Sequence, residues 1–169
     1  YESIFFADRE STPQKSLFDI LHKAVMQSNK TFSNNILDLG CGTGIMGKLC
    51  RKAKIAGNIV GVDISDGMIY QTKQSKHELE PVYNQVIETS ANIYINSYSS
   101  NVKFDIIIMS NLITYSSYFV DIISNIDNLC TDDAFIALSF RNIDKNDWEF
   151  MPTIEQFWYN PQYIKTISS

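Results

Sequence analysis

The sequence has little of what would staple, anchor or charge a chain for a special task. Its 169 residues hold three cysteines, Cys41, Cys50 and Cys130. They are odd in number, far apart, and form no CxxC or Cys/His spacing. That speaks against a disulfide framework and a structural zinc centre, and points to a reducing, cytoplasmic setting. No window holds 18 apolar residues; the greasiest run, FDIIIMSNLI, is broken by Asp105, Ser110 and Asn111. The sequence therefore predicts neither a membrane span nor a signal peptide. Positive charge is in deficit, with 14 Lys and Arg against 19 Asp and Glu. A chain built to coat nucleic acid needs a basic face. The one basic cluster, Lys48, Arg51, Lys52 and Lys54, reads as the solvated side of a helix.

Repeats and linkers are absent as well, and the Ser/Asn-rich INSYSSN is too short to act as a linker. A chain of this length makes about one domain with a real core. The expected organisation is a single domain over 1–169. Within it, 1–33 form a helical cap, 34–140 a ligand-binding core and 141–169 a C-terminal segment.

What is present alternates between two periods. STPQKSLFDILHKAVMQS has Thr12 as N-cap and Pro13 at the first helical position. Leu17, Ile20, Leu21, Ala24 and Val25 then share one helical face. NILDLG is a short strand. In the helix TGIMGKLCRKA the buried stripe is Ile45, Met46, Leu49, Cys50 and Ala53. NIVGVD is a strand, SDGMIYQTKQSK a helix capped by Ser65, and NQVIETSA a third strand. KFDIIIMS, apolar on both faces, is a central parallel strand. YFVDIISNIDNLC is a helix burying Phe119, Ile122, Ile123, Ile126 and Leu129, and DAFIALSF a fifth strand. Strands separated by helices predict an α/β fold, a doubly wound, mostly parallel sheet with helices on both faces. The helix between the third and fourth strands has to be short.

Glycine is scarce, seven residues in all, yet four of them stand at 40, 42, 44 and 47. Gly42-Thr43-Gly44-Ile45-Met46-Gly47 fits GxGxxG, the dinucleotide fingerprint, which alone is a weak signal. Such glycines let the backbone turn tightly and approach a ligand at a helix N-terminus. Here there is an extra glycine, Gly40, and a carboxylate, Asp38, inside the end of the strand. Asp38 would repel a pyrophosphate and welcome an ammonium and a sulfonium. That favours S-adenosylmethionine over NAD. Asp63, at the end of the next strand, offers two oxygens to a ribose diol. The competing role for it, capping the following helix, is contested by Ser65 and Asp66.

On these residues the sequence resembles the class I, Rossmann-like S-adenosylmethionine-dependent methyltransferases. ILDLGCGTG is similar to their first motif, NIVGVDISDGMI to their second, and KFDIIIMSNLI to their fourth-strand motif. Asp63 lies nineteen residues after Gly44, the usual distance. The resemblance runs from about Ile36 to Phe140. It implies that Asp38 holds the methionine ammonium and that Gly40, Cys41, Gly42, Thr43 and Gly44 close around the methionine moiety. Cys41 would serve there as a small residue, not a nucleophile. Ile64 and Met68 would pack on adenine and ribose. Ser90, followed by Ala91, stands where the family usually has an acidic residue facing the adenine amino group; a serine hydroxyl can also accept. Ser110, Asn111 and Leu112 would line the cleft between cofactor and acceptor. The product would be S-adenosylhomocysteine.

The resemblance obliges no catalytic residue, because a general base is needed only when the acceptor must lose a proton. His22 and His77 read as surface residues on helices. Tyr115, Tyr118 and Trp148 could shape an acceptor pocket, or serve as core or rim packing. No Pro-Pro-aromatic exit follows the fourth strand, no Pro-Cys pair occurs, and SNLITYSSYF has no two-glutamate loop. A small-molecule acceptor is thus implied, with protein or RNA left open and no membrane partner. The family normally adds two strands after the fifth. Here DWEFMPTIEQFWYNPQYIKTISS has room for a helix near Pro161 and little else, so the final hairpin is expected to be missing through truncation, exposing the fifth strand's edge. Two other readings stay open: a cofactor-binding module without catalysis, and a NAD-binding oxidoreductase.

Overall fold

Short runs of β-branched residues become strands and the amphipathic stretches between them become helices in the computed structural model, which describes residues 2–8, 13–28, 35–144 and 147–167. The first half runs β1 (Glu2–Asp8), α1 (Pro13–Gln27), β2 (Asn35–Leu39), α2 (Ile45–Lys52), β3 (Asn58–Asp63) and α3 (Asp66–Gln74). Two-residue strands β4 (Lys76–His77) and β5 (Glu80–Pro81) follow, then β6 (Gln85–Glu88), α4 (Ala91–Ser97) and β7 (Phe104–Ser110). The chain continues through α5 (Phe119–Asn125), β8 (Cys130–Arg141), β9 (Trp148–Met151), β10 (Gln156–Tyr159) and α6 (Pro161–Ile167). Six strands pair in the order β1-β8-β7-β2-β3-β6, and each of these pairings is parallel.

The central strands β2, β3, β7 and β8 are apolar on both faces because both are covered. Ile36, Ile59, Ile106, Ile108 and Phe135 meet Leu17, Leu21, Met46 and Cys50 of α1 and α2. Their sequence neighbours Leu37, Val60, Ile107, Met109 and Ile136 point the other way, toward α4, α5 and α6. Alternation at period two thus divides one sheet between two cores. Chain order reverses between β2 and β7, and there the carboxyl ends of the strands diverge to leave a crevice. Among the described residues, no helix is long and apolar enough to cross a membrane.

Several expectations need correction. The stripe of α1 includes buried Phe18, while Ile20 is 40% exposed; Thr12 lies outside the described residues. Ile45 leaves the stripe of α2 and is 47% exposed. His77 belongs to β4, not to a helix. The edge of the fifth predicted strand, β8, is covered, because β1 pairs along it from Glu2↔Phe135 to Asp8↔Arg141. The C-terminal segment forms an antiparallel hairpin, β9 with β10, ahead of the helix expected near Pro161. Among the described residues, that hairpin meets β8's continuation at the bridge Asn142↔Tyr159 and does not extend the sheet.

Arg51 is not a solvated cation. Its Nε donates to Val82 O (2.9 Å), Nη1 to Ala56 O (3.0 Å) and Gly57 O (2.9 Å), and Nη2 to Asn84 Oδ1 (2.5 Å). It ties α2 to the segment before β6, whose Asn84 also accepts the Ile59 amide at 2.8 Å. Hydrogen bonds to a charged donor contribute about 1.5–3 kcal/mol each, and carbonyls left unpaired cost more. Arg51→Met, which keeps the stem, should lower the urea-unfolding free energy by about 2–3 kcal/mol; an unchanged midpoint would contradict the staple.

Candidate cofactor pocket

At the crevice lies a cavity of about 760 Å³. Asp38, Gly40, Cys41, Gly42 and Thr43 line it from the end of β2 and the loop beyond, and Asp63, Ile64 and Met68 from the end of β3 and the start of α3. Ser90 and Ala91 enter from the start of α4, and Ser110, Asn111 and Leu112 from the end of β7. Gly44 is the exception among the sequence-predicted residues. It caps α2 with a φ of 83° and turns toward Tyr83 and Ser75 instead.

The loop after β2 is a run of left-handed turns, with φ of 71° at Gly40 and 54° at Gly42. Gly40 needs its missing side chain doubly, since a Cβ there would stand 3.0 Å from Leu112 Cδ1. The amides of Gly40 and Cys41 both donate to Val62 O, at 2.7 and 3.0 Å. Thr72 Oγ1 donates to Gly42 O. The loop is therefore fastened to β3 and α3 before any ligand arrives.

Asp63 completes that fastening. Its Oδ2 accepts the Gly42 amide (2.8 Å) and its Oδ1 the Ser65 amide (2.9 Å). The helix cap itself is Ser65, whose hydroxyl accepts the Met68 amide at 3.4 Å. Each carboxylate oxygen offers two lone-pair sites, so one on each remains for a ligand.

Asp38 is 1% exposed. Its Oδ2 accepts the Tyr83 hydroxyl at 2.6 Å, and Tyr83 in turn accepts the Gly47 amide at 3.2 Å. Its Oδ1 is buried and has no hydrogen-bond partner among the described residues. Burial pushes the Asp38 carboxyl up to about 7; the Tyr83 hydrogen bond opposes the rise and the charge of Asp63 adds to it. A buried carboxylate with one free oxygen is built to take a cation.

Two more buried hydroxyls on the wall, Ser90 Oγ and Ser110 Oγ, lack partners among the described residues. Ser90 stands at the N-cap of α4 yet makes no cap hydrogen bond, which leaves its hydroxyl to the cavity. Ile64 (72% exposed) and Met68 (39%) offer an apolar lip. Asn111 takes a left-handed φ of 59°, and its amide donates to Ser139 Oγ (2.9 Å) and O (3.2 Å). Beyond it Tyr115 and Tyr118 line the mouth. Trp148 does not; it packs on Phe157 in the β9–β10 hairpin. His22 stacks on Phe18, away from the lining.

Tyr83 is the residue that the sequence reading missed. Two glycines carried its signal: Gly47 inside a helix and Gly61 inside a β-branched strand, both places where glycine needs a reason. Gly61 would put a Cβ 2.8 Å from Tyr83 Cδ1.

A family model described as a methyltransferase domain matches residues 37–136. A curated relative, malonyl-[acyl-carrier protein] O-methyltransferase from Anoxybacillus flavithermus, is 37% identical over 67 residues, 40% of this chain and 24% of that protein. A SAM-dependent methyltransferase from Archaeoglobus fulgidus superposes with a TM-score of 0.65 at 18% identity, covering 91% of this chain and 66% of the other. Magnesium protoporphyrin IX methyltransferase from Synechocystis, solved with bound SAM, gives 0.62 at 17%, covering 91% and 65%. This chain thus spans about a quarter of the curated relative and just under two thirds of these two structures.

The Asp38 carboxyl is raised on folding, so its ionisation is a cost that is absent below the ordinary carboxyl range and grows as pH rises toward 7. Asp38→Asn should raise the Tm of the ligand-free protein at pH 8, with the gain shrinking toward pH 4. A Tm difference that does not vary with pH would contradict the burial argument.

Proposed function

The chain belongs to the methyltransferase-domain family, and we propose that it is an S-adenosylmethionine-dependent methyltransferase acting on a small-molecule acceptor. The observation that carries the reading is the meeting, in one cavity, of two unlike carboxylates. One is buried with a free oxygen, as an ammonium would want. The other is fixed by two amides, with lone pairs left for a diol. Asp38 would hold the methionine ammonium, and Asp63 the ribose hydroxyls. Gly40, Cys41, Gly42 and Thr43 would wrap the methionine moiety, while Gly44, outside the lining, opens α2 behind them. The methionine carboxylate is suited to the N-terminus of α2, which has no side-chain cap. Ile64, Met68 and Ala91 would pack on the nucleoside, and Ser90 would meet the adenine amino group.

When bound, S-adenosylmethionine supplies a methyl carbon already activated by its sulfonium. The chain's own work is to orient the donor, align an acceptor against it and exclude water. Ser110, Asn111 and Leu112, which line the same cavity as Tyr115 and Tyr118, would stand between donor and acceptor. The Asn111 backbone in a left-handed conformation is held by β8, so this wall is rigid where alignment matters. The bacterial relative is named as an O-methyltransferase, which puts carboxylate and hydroxyl acceptors first in a screen. A cytoplasmic setting is included in the reading, supported by three free, buried thiols.

Calorimetric titration tests this directly. S-adenosylmethionine and S-adenosylhomocysteine should bind at micromolar levels and NAD should not. Asp63→Ala should weaken both by about tenfold to a hundredfold. Asp38 pairs with an ammonium only when ionised, so affinity should drop about tenfold from pH 8 to pH 6. Binding of NAD alone, or of neither sulfur nucleotide, would overturn the reading. Binding without turnover across the acceptor screen would favour a non-catalytic module.

A further inference from the structure

Outside the cavity lining, Tyr83 is locked against Asp38 more firmly than a packing residue requires. It is 5% exposed. A Cβ on Gly47 would lie 2.5 Å from its Cζ and 2.6 Å from its hydroxyl oxygen. Both α2 and β3 thus accept glycine in their interiors, at about 0.5–1 kcal/mol each, to make room for this ring. The backbone on either side is pinned as well: the Val82 amide donates to Ser75 O (3.0 Å) and the Asn84 amide to Ile59 O (2.9 Å). The ring cannot swing, and its hydroxyl has fixed partners.

We propose that Tyr83 is a positioning residue of the cofactor site. Its hydroxyl, held by the Gly47 amide, engages Asp38 Oδ2, leaves Oδ1 as the free acceptor for the ligand's ammonium, and stabilises the charge on that carboxylate so that the site binds at neutral pH. The inference rests on the reading of the cavity as an S-adenosylmethionine site.

The surroundings of Asp38 give the hydroxyl its importance. In the sheet, β3 sets Gly61 beside it and β7 sets Ile108, neither of which can donate from a side chain. The titratable groups that face it among the described residues are Asp63 at the end of β3, Cys41 in the glycine loop, Cys50 on α2 and Tyr83. Burial pushes both thiols well up, so they stay neutral. Burial and the charge of Asp63 both oppose ionisation of Asp38, and the Tyr83 hydrogen bond favours it. A short hydrogen bond from a neutral donor to a carboxylate is among the stronger ones a protein makes. It is stronger to the ionised form than to the neutral one, so it shifts where the carboxyl titrates.

Tyr83→Phe keeps the ring in its cradle and removes the hydroxyl. In the ligand-free protein, the Asp38 carboxyl carbon followed by NMR should titrate with its midpoint about one pH unit or more higher in the variant. By calorimetry, S-adenosylhomocysteine should bind the variant about three- to tenfold more weakly at pH 7.5 and nearly equally at pH 9. 5′-Methylthioadenosine, which lacks the ammonium, should bind both proteins alike at both pH values. If the variant does not fold, 3-fluorotyrosine at position 83, a stronger donor of the same shape, should move the midpoint down. An unmoved midpoint, or a loss of affinity equal at pH 7.5 and pH 9, would reduce Tyr83 to packing and overturn the proposal. Failure of the unaltered protein to bind S-adenosylhomocysteine at either pH would instead overturn the cofactor reading, and the NMR titration would still decide whether Tyr83 governs Asp38.

Discussion

A carboxylate buried at the end of a central strand, with one of its two oxygens unsatisfied, is the constraint around which the rest of this structure is arranged. Burying a charge costs several kcal/mol unless partners offset it. Asp38 is only half satisfied from within the chain, by Tyr83. To bring that tyrosine into range, a helix and a strand give up side chains at Gly47 and Gly61. To keep it there, Arg51 ties the flanking Val82 carbonyl and Asn84 side-chain amide to the Ala56 and Gly57 carbonyls ahead of β3. None of this is needed to fold an α/β sheet, and each piece follows from where the carboxylate sits.

The second carboxylate does different work. Asp63 is tied to the backbone on both oxygens, one to the loop after β2 and one to the start of α3, so it serves as the clamp that shapes the glycine loop. A ligand taken by Asp63 would therefore meet a loop already in its bound form. Pre-organisation of this kind lowers the ordering cost of binding. It also means that changes at Asp63 act twice, through the lost ligand contact and through the loosened loop. The charge of Asp63 raises the cost of ionising Asp38, and a cation bound at Asp38 would relieve it.

Much of this was legible in the sequence because it is written locally. The run ILDLGCGTG sets a strand, a left-handed loop and a helix start within a dozen residues, and KFDIIIMS declares a strand covered on both faces. Asp38, Asp63, Ser90 and Ser110 fall at strand ends by counting alone. What was not legible depends on distant partners. β1 exists as an element because β8, more than a hundred residues away, offers an edge. The β9–β10 hairpin lacks a glycine-rich turn to announce it. Ile45 follows the helical period of a buried stripe yet lies toward the cavity, since that end of α2 looks into the crevice. Tyr83 sits in a stretch without periodicity, and its importance showed only in the two glycines that face it.

The most direct test of this account is the number of protons exchanged when S-adenosylhomocysteine binds, measured by calorimetry in buffers of different ionisation enthalpy. If an ammonium pairs with Asp38, a carboxyl that titrates near 7 in the free protein must give up its proton on binding. Release should then approach one proton per site at about pH 6 and fall toward none near pH 8, above which the ligand's own amino group begins to take up a proton on binding. Binding with no net proton exchange across that range would mean that the buried carboxylate is not the ammonium's partner, and the account would fail at its centre.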